Sequence, residues 1–214
     1  MRHLLGACAA IALASGAVPA GAAVKAVATT APSGAYTLDH AHADLTFRVV
    51  HMGFSHYTAR FGKFDAKLQL DTAHPENSSV TATIDPASLE LNNPPEGFHA
   101  ELIGPHWLDS GKFPQMTFKS TKVEMTGPDT AKITGAFSLH WITQPVVLEA
   151  KFNGGYPGFS MDPHGRVGFS AHGELQRSAF GIAYGIPAKG SNLGVSDAVE
   201  IRIEAEFTGP PLKQ

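Results

Sequence analysis

The feature that most constrains this chain is an apolar period of two that returns along nearly its whole length. Leu45, Phe47, Val49 and His51 fall on one face of a segment, with Asp44, Thr46 and Arg48 on the other. Phe64, Ala66, Leu68 and Leu70 alternate with Asp65, Lys67 and Gln69, and Val80, Ala82 and Ile84 with Thr81 and Thr83. The pattern recurs at Val146-Leu148-Ala150-Phe152, at Val167-Phe169-Ala171 and at Val199-Ile201-Ile203-Ala205-Phe207, with shorter runs over 116–125 and 132–140. Strand side chains point alternately to opposite faces, so each run turns one face to an apolar interior and the other to water.

Turn residues separate the runs: Gly127-Pro128-Asp129, Asn153-Gly154-Gly155 and Asp162-Pro163-His164-Gly165. Short connections between roughly eight such strands predict an antiparallel meander, and that number can close into a barrel wide enough for one small ligand. A β-sandwich satisfies the alternation equally well. Only residues 99–103 and 106–109 read as helical, as one or two short turns across a barrel end, bounded or split by Pro94-Pro95 and Gly104-Pro105.

The N-terminus predicts export. Met1-Arg2-His3 is followed by an apolar run from Leu4 to Val18 and a small-residue exit ending at Ala22-Ala23. That run of about 15 residues is short of the roughly 20 needed for a membrane span. Cleavage is placed after Ala22, with Ala23 as the alternative. Leu5-Gly6-Ala7-Cys8 has the pattern of a lipoprotein box, but it leaves almost no apolar segment ahead of it. The expected organisation is a signal peptide over 1–22, a disordered leader over 23–35, one domain over 36–209 and a tail over 210–214. Processing removes Cys8, the only cysteine, which suits an oxidising compartment and excludes disulfides and thiolate metal sites. A net charge of −3 without basic clusters argues against nucleic acid as a partner.

No G-x-S-x-G elbow, H-E-x-x-H pair or phosphate-cradling glycine loop is present, so the expectation is a binding protein without enzymatic activity or cofactor. The eleven histidines offer the main competing chemistry. His40 and His42 share one face of a regular strand, which with His51 is usable geometry for a periplasmic zinc or copper protein. The bland alternative is that these rings face solvent or satisfy backbone groups. Arg177-Ser178-Ala179-Phe180-Gly181-Ile182 also has two readings. Arg177 either anchors an anionic headgroup at a barrel mouth or ties down a loop through backbone carbonyls, with Phe180 plugging the core.

Several motifs in order resemble the YceI-like family. They are Tyr36-Thr37-Leu38-Asp39 with His42, Phe47-x-Val49-x-His51, Phe61-Gly62-x-Phe64 and Ser79-Val80-x-Ala82-x-Ile84-Asp85-x-Ala87-Ser88. Lys112-Phe113-Pro114 with Phe118-x-Ser120, Gly135-x-Phe137 with Thr143-Gln144-Pro145-Val146-x-Leu148, Arg177-Ser178-x-Phe180-Gly181-Ile182 and Asp197-x-Val199 complete the series. The resemblance spans about residues 36–208. It implies a single eight-stranded antiparallel lipocalin-like barrel with an elongated apolar pore, binding of polyisoprenoid or similar lipophilic chains, and a periplasmic address. It also implies an isoprenoid quinone or fatty-acyl chain as cargo, with transient contact to the membrane or to a cytochrome b561-type membrane protein; a homodimer also stays open. The chain departs from the family at His42-Ala43, Phe98-His99 and Trp141-Ile142, which exchange charge for apolar bulk around the loops.

The residues suit such a cargo independently. An apolar pore about one strand long gains roughly 0.8 kcal/mol for each CH₂ it buries. Thirteen phenylalanines against four tyrosines fit a lining that needs few polar partners, although the same rings could simply fill the barrel. The candidate ligand-binding residues are Phe47, Val49, His51, Phe64, Leu68, Ile84, Leu102, Trp107, Phe118, Phe137, Leu148, Phe169, Arg177 and Phe180, with Ile203 as a further wall residue. His51 and Arg177 are the expected polar contacts near the opening, and Leu102, Trp107 and Leu108 the expected lid.

Overall fold

A computed structural model describes residues 29–212. The expected signal segment lies outside them, as do residues 23–28 of the leader. The chain runs β1 (Gly34–His51), β2 (Ser55–Phe61), β3 (Phe64–Leu70), β4 (Ser79–Ile84), β5 (Leu89–Glu90), α1 (Phe98–Leu102), β6 (Met116–Met125), β7 (Thr130–Leu139), β8 (Ile142–Tyr156), β9 (His164–Gln176) and β10 (Val195–Pro211). All pairings are antiparallel, and β10 returns to pair with β1 from Thr37↔Thr208 to His51↔Val195. That last pairing closes the sheet and excludes the sandwich.

Ten strands make eight staves, because two staves are bent. β2 and β3 both run against β1, β2 beside residues 46–51 and β3 beside residues 34–37. Gly62 and Lys63 form the bend between them. The neighbouring stave bends at the same height, where Asp85 caps a single 3₁₀ turn by accepting from the Ala87 N–H at 2.9 Å. Backbone bonds across the bends, Gly62 N–H to the Ser88 carbonyl at 2.9 Å and Asp85 N–H to the Lys63 carbonyl at 3.0 Å, keep the two staves together.

Strand direction defines two ends. His51, Glu90, Met116, Leu139, Gln176 and Val195 lie at one, where residues 91–115 cross the opening; we call this the lidded end. Leu70, Met125, Tyr156 and Pro211 lie at the other. There Tyr36, Val167, Leu70 and Phe207 pack with the half-buried Phe152 and Phe169. The Tyr36 ring is 1% exposed, and its hydroxyl donates to the Pro32 carbonyl at 2.7 Å. Gly209 makes this possible, since a Cβ there would sit 2.0 Å from a Tyr36 ring carbon. Strand structure therefore begins at Gly34 and Ala31 is already buried, both within the stretch expected to be a disordered leader. At the far end β10 runs on to Pro211, into the expected tail.

Candidate ligand-binding cavity

The alternating faces converge on a cavity of about 700 Å³ that fills the lidded half of the barrel. This lies in the upper part of the roughly 300–1,000 Å³ typical of small-molecule sites. The wall comes from every stave: Leu45, Phe47 and Val49 of β1, Phe64 of β3, Ile84 of β4, Phe118 of β6, Phe137 of β7, Leu148 of β8, Leu175 of β9 and Ile203 of β10. Its deepest residues, Leu38, Ala66, Ala205 and Phe207, belong to the cluster that packs the other end. Gly135 sets the position of one wall ring. A Cβ there would lie 2.2 Å from Phe118 Cζ and 2.9 Å from the Lys119 carbonyl, so only glycine lets Phe118 lie back against β7.

The lid contains the two stretches the sequence marks as helical, and Leu91, Pro95, Phe98, Leu102, Trp107 and Leu108 turn inward from it. The five-residue helix α1 starts from Gly97 at φ +77°, and the Gly104-Pro105 step ends it; residues 105–108 form turns and no second helix. Such short pieces are marginal alone, so their fastenings matter. His99 Nε2 bonds the Leu89 carbonyl at 2.8 Å, and His140 Nε2 bonds the Leu108 carbonyl at 2.9 Å. His106 stacks on Tyr184 at 5.0 Å, and Trp107 meets the same ring edge-on at 5.6 Å.

Of the expected site residues, Phe47, Val49, His51, Phe64, Ile84, Leu102, Trp107, Phe118, Phe137, Leu148 and Arg177 all border the cavity. Three do not. Leu68 and Phe169 line a separate pocket of about 110 Å³ towards the packed end. Period two tells inward from outward but carries no height along the barrel axis. Phe180 is 1% exposed and packs edge-on against Phe137 at 5.4 Å, which makes it core. Tyr57, Ala59 and Phe61 were missed as wall residues, although they alternate with His56, Thr58 and Arg60 in the same way.

Arg177 takes the loop-tying role. Its Nε donates to the Ser196 carbonyl at 2.9 Å, Nη1 to those of Ile182 and Tyr184 at 2.9 and 2.8 Å, and Nη2 to that of Val195 at 2.8 Å. The guanidinium is buried, lies 5.0 Å over the Trp107 ring and makes no ion pair among the described residues. Burial pulls its pKa below the ordinary arginine value, with Asp197 opposing. Asp197 itself accepts from the Ser178 N–H and hydroxyl at 2.8 and 2.6 Å. Beside this cation, Trp107 Nε1 is buried without a hydrogen-bond partner among the described residues.

The histidine metal geometry needs correction. Pairing between β1 and β10 jumps from Leu38↔Phe207 to Ala43↔Ala205, so residues 39–42 bulge out of the ladder. His40 faces Asp65 at 3.7 Å, His42 faces Asp39 at 3.1 Å, and His51 lies at the opposite end of β1. His42, Asp39 and Glu206 do bring one ligand atom each within 4.8 Å of one another. The Asp39 oxygen that meets His42 also accepts from Arg166, whose other arm bonds Asp162 at 2.7 Å. Arg166 and then His42 hold the Asp39 carboxyl at about 2, and the fixed guanidinium opposes a cation at the same oxygen.

With that geometry in place, the kinship is direct. The YceI-like domain family matches residues 36–207. A UPF0312 protein of Vibrio cholerae is 32% identical over 189 residues, covering 86% of this chain and 93% of the relative. Among solved structures, Burkholderia cenocepacia BcnA superposes with a TM-score of 0.67 at 22% identity, covering 79% of this chain and 98% of that one. A polyisoprenoid binding domain from Saccharophagus degradans gives 0.58 at 13%, covering 82% and 98%; at these identities the two structures share the fold. The chain belongs to the YceI-like family.

Proposed function

We propose that this protein is a periplasmic carrier that holds one long lipophilic chain, a polyisoprenoid, isoprenoid quinone or fatty-acyl group, in the cavity beneath its lid. One observation carries the reading: about 700 Å³ of space walled by Leu, Ile, Val, Ala and Phe from all eight staves, with little to satisfy a polar ligand. The described Saccharophagus degradans relative, a polyisoprenoid binding domain with the same fold, supports that ligand class. The signal-like N-terminus supports the address. The role is binding, since the polar groups at the mouth are spent on holding loops. A terminal oxygen of the ligand would take the unmet Trp107 N–H beside Arg177.

A chain-length series of fluorescent fatty acids and isoprenoid alcohols tests this. Each added CH₂ is expected to tighten binding about fourfold, from roughly 0.8 kcal/mol per group, until the cavity is full. Affinity that is flat with chain length would overturn the reading. Trp107→Phe is expected to weaken oxygen-headed chains by about tenfold and to leave plain hydrocarbons unchanged.

A further inference from the structure

The rim of the lidded end has a feature that holding a ligand does not require. Phe54 at the tip of the β1–β2 hairpin is 85% exposed, Trp141 at the tip of the β7–β8 hairpin 73%, and Leu193 in the loop between β9 and β10 70%. These tips form one surface. Met52 N–H donates to the Gly194 carbonyl at 2.8 Å, joining the first hairpin to the loop. Gly181, near the other end of that loop, lies beside the Ile142 side chain of the second hairpin. Tyr184, on the same loop and also exposed, stacks against the lid. The inner side chains of the same loop, Ile182 and Val195, line the cavity. Exposed apolar side chains and the cavity therefore share one wall of chain.

Charge sharpens the picture. Residues 50–57, 139–146 and 179–195 contain no carboxylate in a chain with nineteen, and their ionisable groups are Lys189, His51, His56, His140 and Tyr57 and Tyr184. The lid beside these tips carries Glu96, Glu101, Asp109 and Lys112, so the acid-free character belongs to the three tips. The turns at the packed end carry Asp71, Glu76, Asp129 and Asp162. Exposed Met161 and Phe159 there flank the ion pair of Asp162 with Arg166. Acid-free tips bearing aromatic and aliphatic side chains suit the headgroup layer of a bilayer, where Trp and Tyr concentrate and anionic lipids favour basic groups. A protein partner would need roughly 800 Å² of matched surface with about one hydrogen bond per 100–200 Å², whereas the side chains turned outward here are largely apolar.

We propose that Phe54, Trp141, Ile142, Tyr184 and Leu193 dock the protein mouth-down on an anionic bilayer, so that a chain moves between membrane and cavity without crossing water. The inference rests on the lipophilic-ligand reading above. Its test is co-sedimentation of the processed protein with phosphatidylcholine vesicles, with and without phosphatidylglycerol, together with quenching of tryptophan emission by brominated lipids. The wild type is expected to sediment with the anionic vesicles, less so as salt rises, with quenching that Trp141→Phe lowers to the part owed to Trp107 in the cavity wall. Phe54→Ser and Leu193→Ser are each expected to lower partitioning about tenfold, since each removes one large apolar side chain from the bilayer. Both variants should still load a fluorescent fatty acid delivered from solution. If the wild type loads from solution but stays off vesicles, docking alone is overturned. If Phe54→Ser and Leu193→Ser instead abolish a concentration-dependent dimer, a second copy covers the strip and the bilayer assignment is wrong. If the wild type does not load from solution, the cavity reading fails and docking falls with it.

Discussion

The two ends of the barrel put the same alternating strands to different uses. At the packed end Tyr36, Val167 and Phe207 are 1–5% exposed and close against one another, with Tyr36 tied to Pro32. At the lidded end Phe47, Phe64 and Ile203 point inward just as regularly but meet about 700 Å³ of space. Short, separately fastened pieces of chain cover that space, where the other end is sealed by strand and side chain. Inward apolar side chains are thus compatible with either a core or a cavity, and what the opposite wall places at the same height decides between them.

The contrast is open to direct test. Tyr36→Ala at the packed end should cost about 3–5 kcal/mol in denaturant unfolding, because that ring is 1% exposed and borders neither cavity. Phe47→Ala should cost about 1–2 kcal/mol, because that ring already borders open space and its removal leaves less new cavity. Equal costs would mean the lidded half packs as tightly as the other. Saturating the cavity at about a hundred times the dissociation constant should raise stability by about 2.7 kcal/mol. Amide exchange should then slow in the lid and at the mouth, with the packed end unchanged. Gly135→Ala should drive Phe118 into the cavity, weakening long-chain binding about tenfold at a stability cost of about 1–3 kcal/mol.

The smallest effect belongs to the bulge at the packed half. The Asp39 carboxyl is held at about 2, below its ordinary 3.8, first by Arg166 and then by His42. Its contribution is present above the ordinary value and is lost as pH falls towards the lowered one. Asp39→Asn should therefore cost about 1 kcal/mol at neutral pH and flatten the fall in stability between pH 4 and 2. An acid limb unchanged in Asp39→Asn would remove the Arg166 network from the account.

Much of this was legible beforehand, and the misses have physical causes. Strand faces, the lid and most of the wall follow from period two and from the break at Gly104-Pro105, whereas barrel closure follows from the family resemblance, since alternation alone fits a sandwich equally well. The position of Leu68 and Phe169 along the axis does not, because alternation is blind to height. The bulge at residues 39–42 was invisible because it depends on β10, the strand paired with it, and not on local pattern. Regular alternation put His40 and His42 on one face, and the bulge sent them to different partners. Arg177 looked equally suited to a headgroup or a loop; four carbonyls brought together by the fold settled its role.

The central claim is that the lidded half holds a lipophilic chain. The most direct measurement is mass spectrometry of an organic-solvent extract of protein purified from its native compartment without detergent. The account predicts one isoprenoid, quinone or fatty-acyl species per protein, at lower occupancy in Gly135→Ala purified alongside. An extract without any lipophilic species, from protein that also fails to take one up when offered, would contradict it.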